Sequence, residues 1–245
     1  MKRKLIMIAT LCMLIIFSIG TISYAVSPQV QANIAAQDSF KTLLKSINTE
    51  YRDFYFTTKD EVSMAKLGNP IQWATIDINK YDPSIKISDQ VTREPFYTYP
   101  VIAGNNVITD FSIILKDEKW HVVDFGGALT KNIYKLANEN NFNPDDCFLL
   151  NFGGDIFVIV NTNREEMAFS PYYSDQNAGL KEKTLVNSDI IKKSFMNKVR
   201  NIQEKAKEGN YKTIGSNEAL YGLPPLEFKQ KSIFERLSIY FNHLL

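Results

Sequence analysis

Two cysteines and two histidines are all that the 245 residues contain, and that scarcity removes several classes of function. Cys12 lies inside an apolar stretch near the N-terminus, so a processed chain keeps only Cys147 and forms no intrachain disulfide. His121 and His243 are far apart and neither is near Cys147, so no short-spaced group of metal ligands exists. Charge of one sign is lacking too. The 28 Lys and Arg stand against 27 Asp and Glu; three basic residues lie before residue 5, which leaves 25 against 27 in the rest. The lysines are scattered among acids, with no basic stripe for a phosphate backbone, and no nucleic-acid partner is expected. The paired glycines Gly126-Gly127 and Gly153-Gly154 come without the lysine and hydroxyl of a phosphate loop or a full dinucleotide fingerprint. No cofactor is expected.

What is present begins with an export signal. Met1-Lys2-Arg3-Lys4 precedes an uncharged run from Leu5 to Ala25, and Ser23-Tyr24-Ala25 places small residues at a cleavage site. Val26 is the expected first mature residue, and the protein is expected to be secreted. The alternative is an uncleaved signal that anchors the chain on the outer face of the cytoplasmic membrane, since the run approaches bilayer length. Few cysteines with many Asn, Lys and Ile suit a bacterial protein of the cell envelope.

Beyond residue 25 the pattern is α+β. Phe40, Leu44, Ile47, Tyr51 and Phe54 recur at helical spacing, which predicts an amphipathic helix between Val30 and Phe54. Phe96–Ile102, Val107–Leu115 and Lys119–Phe125 predict three strands joined by short turns, hence an antiparallel meander. A helix is expected from Ala128 to Asn138. Cys147–Phe152 and Ile156–Asn161 read as a hairpin across Gly153-Gly154-Asp155. The expectation is a mainly antiparallel sheet of about five strands packed with helices, plus C-terminal helices. Its divisions are residues 1–25 as signal peptide, 26–161 as the helix-on-sheet domain, 162–188 as a polar loop or linker, and 189–245 as a helical region. In that last region Ile191, Phe195, Val199 and Ile202 share one helix side, and Ile233, Leu237, Tyr240 and Leu244 form a terminal stripe. Membrane contact through the terminal stripe is disfavoured, because Glu227 and Glu235 offset its basic residues. The helix followed by a meander resembles small cystatin-like folds, which implies an architecture and no activity.

Two functional readings compete. The favoured one is a secreted, non-enzymatic binding or accessory protein acting on a peptide, a protein or a cell-envelope component. Tyr172 and Tyr173, in a polar segment where burial is not obligatory, are the expected ligand-binding residues. The alternative is a cysteine-dependent hydrolase or transferase, with Cys147 as nucleophile, His121 as base and Asp124, Asp146 or Asn151 orienting the imidazole. Histidine before cysteine is the reverse of the papain order. It is the order of sortases, but Pro144-Asp145-Asp146-Cys147 lacks their threonine-leucine context. Asp124-Phe125-Gly126 matches the kinase metal triplet without the other kinase motifs. Asp77, Asn79 and Asp82 lack the glycine of a calcium loop, and Pro83 breaks the spacing. Gly126-Gly127, entering a helix, is a candidate nest for an anion.

Overall fold

The structure is a computed structural model that describes residues 27–47, 51–162 and 165–207, with side chains as far as residue 201. The expected signal peptide and terminal stripe lie outside these residues. The chain divides into two units, Met1–Gln31 and Ala32–Leu245. Residues 28–31 of the first begin helix α1 (Pro28–Ile47). All remaining elements belong to the second unit.

Helix α1 buries Ala32, Ala36, Phe40 and Ile47, one stripe of the expected spacing. Tyr51–Phe54 is a 3-10 turn. A short helix α2 (Lys59–Met64) follows, capped by the Thr58 side chain, which accepts from the Glu61 amide. The Glu61 carboxylate in turn accepts from the Thr57 amide at 2.6 Å.

Nine described strands make one sheet. They are β1 (Lys66–Leu67), β2 (Ile71–Thr75), β3 (Thr92–Ala103), β4 (Asn106–Lys116), β5 (Lys119–Phe125), β6 (Cys147–Phe152), β7 (Asp155–Asn161), β8 (Glu166–Phe169) and β9 (Val186–Asn187). The order is β5-β4-β3-β2-β6-β7-β8-β9, with β1 beside β3. The meander β3-β4-β5 and the hairpin β6-β7 stand where the sequence placed them. Two antiparallel blocks are joined by a parallel pairing, β2 against β6, with Trp73 opposite Leu149. The crossover that a parallel pair needs is supplied by everything from β3 to helix α3 (Leu129–Asn140).

The α+β class therefore stands, and the expectation of about five strands is corrected to nine. The added strands are two to five residues long, too short for alternation to announce them. Two of them, β8 and β9, fall within 162–188, expected to be loop or linker. Several polar residues of that segment are partnered inside the protein. Glu166 accepts from the amides of Ile87 and Ser88 at 3.0 and 2.8 Å, and the Ser170 hydroxyl donates to the Ile156 carbonyl at 3.0 Å.

Alternation along the strands separates three clusters. On one sheet face Ile71, Trp73, Leu149, Val158 and Val160 pack with Leu129, Ile133 and Leu136 of α3. On the other, Tyr97, Tyr99, Phe111 and Phe125 pack with α1. Beside them Phe148, Leu150, Phe152, Phe157 and Ile159 pack with Ile191 and Phe195 of helix α4 (Ser188–Lys207). Phe152 and Phe195 stack with ring centroids 3.9 Å apart.

Candidate functional site

Within the apolar strand β4 stands one acid, Asp110. Phe111 and Ile113 face α1, which turns Asp110 and Ser112 toward the α3 side. The chain leaves β5 through Gly126-Gly127 and enters α3 directly above this acid. Its carboxylate accepts from the Leu129 amide at 2.7 Å, from the Thr130 amide at 2.9 Å and from the Thr130 hydroxyl. Gly127 has φ +95°, and a Cβ there would lie 3.0 Å from Asp110 Oδ2, so glycine is what lets strand and helix approach. The helix entry behind Gly126-Gly127, a candidate anion nest in the sequence, holds the protein's own carboxylate, bound by the Leu129 and Thr130 amides rather than by the glycines. Asp110 is 4 % exposed. Burial pushes its pKa up, and the bonds from Thr130 and Leu129 pull the other way.

A second carboxylate stands diagonally across the ladder. Asp124 of β5 pairs with Ser112, two residues along β4 from Asp110, and so shares its face. Burial, and then the proximity of Asp110, push Asp124 up to about 6. Tyr172, in the loop after β8, completes the group. Its hydroxyl is pushed up to about 12 by burial and by the carboxylates of Asp110, Asp124 and Glu182, although the residue keeps 49 % of its surface. Strands β3, β2, β6 and β7 separate β4 from β8 along the ladder, yet Phe169 at the end of β8 packs in the same cluster as Leu129 and Ile133 of α3. The arrangement offers an accessible aromatic face beside negative charge.

The other expected ligand residue has a different setting. Tyr173 is half-buried against the α4-side cluster, edge-on to Phe157 with centroids 6.1 Å apart and 5.1 Å below Lys198 Nζ. One hydroxyl, that of Ser170, accepts from the amides of both tyrosines at 3.4 and 3.0 Å and fixes the bend between them.

Cys147 and His121 are not brought together. Cys147 is buried in the cluster under α3. Burial, helped by Asp146 and Asp145, pushes its thiol up to about 12, opposite to what a thiolate nucleophile needs. His121 is exposed on β5, and β4, β3 and β2 intervene. The path along the sheet is about 19 Å at the usual strand spacing. Asp146 closes a 3-10 turn before β6, and the Asn151 side chain accepts from the Gly154 amide in the hairpin turn. Asp124, offered as an orienting group, pairs instead with the electrostatics of Asp110. Asp77 and Asp82 cap turns, accepting from the amides of Asn79 and Ser84. Among the described residues no group of three or more His, Cys, Asp or Glu is placed to hold a metal ion.

Asp110 was not singled out by sequence reasoning. A single acid amid Val107, Ile108, Phe111, Ile113 and Ile114 was the available signal, because a charge inside an apolar strand needs a partner. No protein-family model, curated protein or solved structure matches the chain. Among the described residues no helix is long and apolar enough to cross a membrane.

Proposed function

We propose that the protein is exported and acts as a non-enzymatic binding or accessory protein, gripping a peptide or another cell-envelope component at the surface around Tyr172. The observation that supports this reading is Tyr172, half-exposed in a polar loop, with the carboxylates of Asp110, Asp124 and Glu182 within electrostatic reach of its hydroxyl. An aromatic face next to carboxylates suits an amine-bearing peptide, through cation–π attraction and charge, or a hydroxylated sugar, through stacking and hydrogen bonds. The burial of Cys147 and its distance from His121 favour binding over the thiol chemistry that the same sequence allowed.

The test is titration of the full chain with an oligolysine peptide and with a neutral oligosaccharide, each against Tyr172→Ala. At least one probe should bind, and the variant should weaken it about tenfold. If the peptide is the ligand, its affinity should fall as Asp124 takes up a proton below about pH 6. Equal affinity for both proteins, or no binding of either probe, overturns the reading.

A further inference from the structure

A second surface, without Tyr172 or the acids near it, is lined mainly by α4. Along the outward side of α4 runs an open groove of about 410 Å³, walled by Lys192, Lys193, Met196, Asn197 and Arg200 of the helix and by Asn177 of the loop. Pro83, from the segment between β2 and β3, closes its far side, and Asp189 stands at its head.

Its charges are unequal. Asp189 is engaged by Lys192 at 3.4 Å, whereas Lys193 and Arg200 make no ion pair among the described residues and are exposed. Lys193 and Arg200 are seven positions apart, two turns along one helix side, which places them about 10 Å apart. About three residues of extended chain span that distance. Between them lie an accessible thioether, with Met196 38 % exposed, and the amide of Asn197. That amide is held in place by donating to Asp175 at 3.2 Å.

We infer that this groove is a docking site for an extended, acidic segment of a partner polypeptide, with carboxylates held by Lys193 and Arg200, backbone groups by Asn177 and Asn197, and an apolar side chain against Met196. Charge complementarity selects the occupant. A concave seat with two unpaired cations a few residues apart fits a polypeptide strand. An anionic bilayer would need a broad basic face, and a nucleic acid a longer basic stripe with stacking rings. The inference is independent of the Tyr172 reading, whose surface carries the opposite charge.

The experiment uses the full chain with three probes: a fluorescent hexaglutamate peptide, its hexalysine counterpart, and vesicles of phosphatidylglycerol. Hexaglutamate should bind, and binding should weaken as ionic strength rises. A Lys193→Glu, Arg200→Glu double variant, altered only at exposed side chains, should lose about tenfold or more, while Tyr172→Ala should leave hexaglutamate binding unchanged. Melting curves of both variants confirm that the fold persists. Failure of hexaglutamate to bind at low ionic strength, or equal binding by the double variant, overturns the inference. So does vesicle binding that depends on Lys193 and Arg200 and exceeds peptide binding, since it makes the surface a lipid contact.

Discussion

Asp110 and Asp175 are the same residue in nearly the same state of enclosure, 4 % and 8 % exposed, yet the protein treats them oppositely. Each accepts three hydrogen bonds. Those of Asp175 come from the amides of Asn177 and Ala178 and from the Asn197 side chain, at 3.0, 3.1 and 3.2 Å. Burial would raise Asp175, but its hydrogen bonds outweigh burial and hold it below the usual carboxylate value. For Asp110 burial wins and the pKa rises. The difference is depth. Asp175 lies in a surface loop beside the solvent-open groove. Asp110 lies within β4, next to the β5 end of the sheet, beneath the start of α3. Fractional exposure and a bond count alone do not decide ionisation; the second shell of atoms does.

Substitution at the deeper acid should have the largest effect. Asp110→Ala leaves two amides and a hydroxyl at the start of α3 without their acceptor, in a site too enclosed for water to replace it freely. A loss of about 3 kcal/mol is expected in chemical denaturation. Asp110→Asn keeps an acceptor for the Thr130 amide and hydroxyl but turns a donor toward the Leu129 amide, so it should cost less than Asp110→Ala without being neutral. If Asp110→Ala costs under about 1 kcal/mol, the hydrogen bonds do not hold the helix end and the contrast with Asp175 collapses.

A smaller effect of opposite sign belongs to Asp124. Its folded pKa, about 6, lies above the unfolded value near 3.8. Between these two values the folded state binds more protons than the unfolded, so stability falls as pH rises and the penalty is complete above about pH 6. Asp124→Asn should therefore stabilise the protein at pH 7 by up to about 2 kcal/mol. It should also flatten the pH dependence between about pH 4 and 6. An unchanged slope in that window would show that Asp124 is not raised by its burial and its neighbour Asp110.

The smallest effect is expected at Asp175, where the sign reverses again. Its lowered pKa contributes stability above the unfolded value near 3.8 and loses that contribution as pH falls through the folded value. Asp175→Asn should lower Tm at neutral pH by a few degrees, about 2–4 °C for a chain of this size, with the difference closing toward pH 3. A deficit that persists in acid would assign the effect to lost geometry at Asn177 and Asn197, not to charge.

Much of the scaffold was legible because its signals are local. The stripe through Phe40 and Ile47 marked α1, short turns between β-rich runs marked β3, β4 and β5, and Gly153-Gly154 marked the β6-β7 turn, where Gly153 has φ +59°. The turn at Gly104, with φ +60°, was marked in the same way. What was hidden has no local signal. The five residues of β2 read only as a short apolar run, and nothing in Trp73-Ala74-Thr75 says that a parallel partner waits at Leu149-Leu150-Asn151. The polarity of 162–188 looked like solvation, whereas Glu166 and Ser170 bond backbone groups of distant segments and Asp175 ties its own loop to the Asn197 side chain of α4.

Of the two expected ligand residues, Tyr172 is exposed and Tyr173 half-buried, so adjacency in the sequence does not give the two rings one setting. By itself the sequence determined the α+β class, the meander, the hairpin and the near-balance of charge, since these follow from spacing and composition along the chain. Only the tertiary structure decided that Asp110 caps α3 from another strand, that Asp124 and Tyr172 share its surroundings, that Cys147 lies apart from His121, and that Lys193 and Arg200 line one groove. Burial and electrostatics act through space, and those distances are set by strand pairings and packing between residues far apart in sequence.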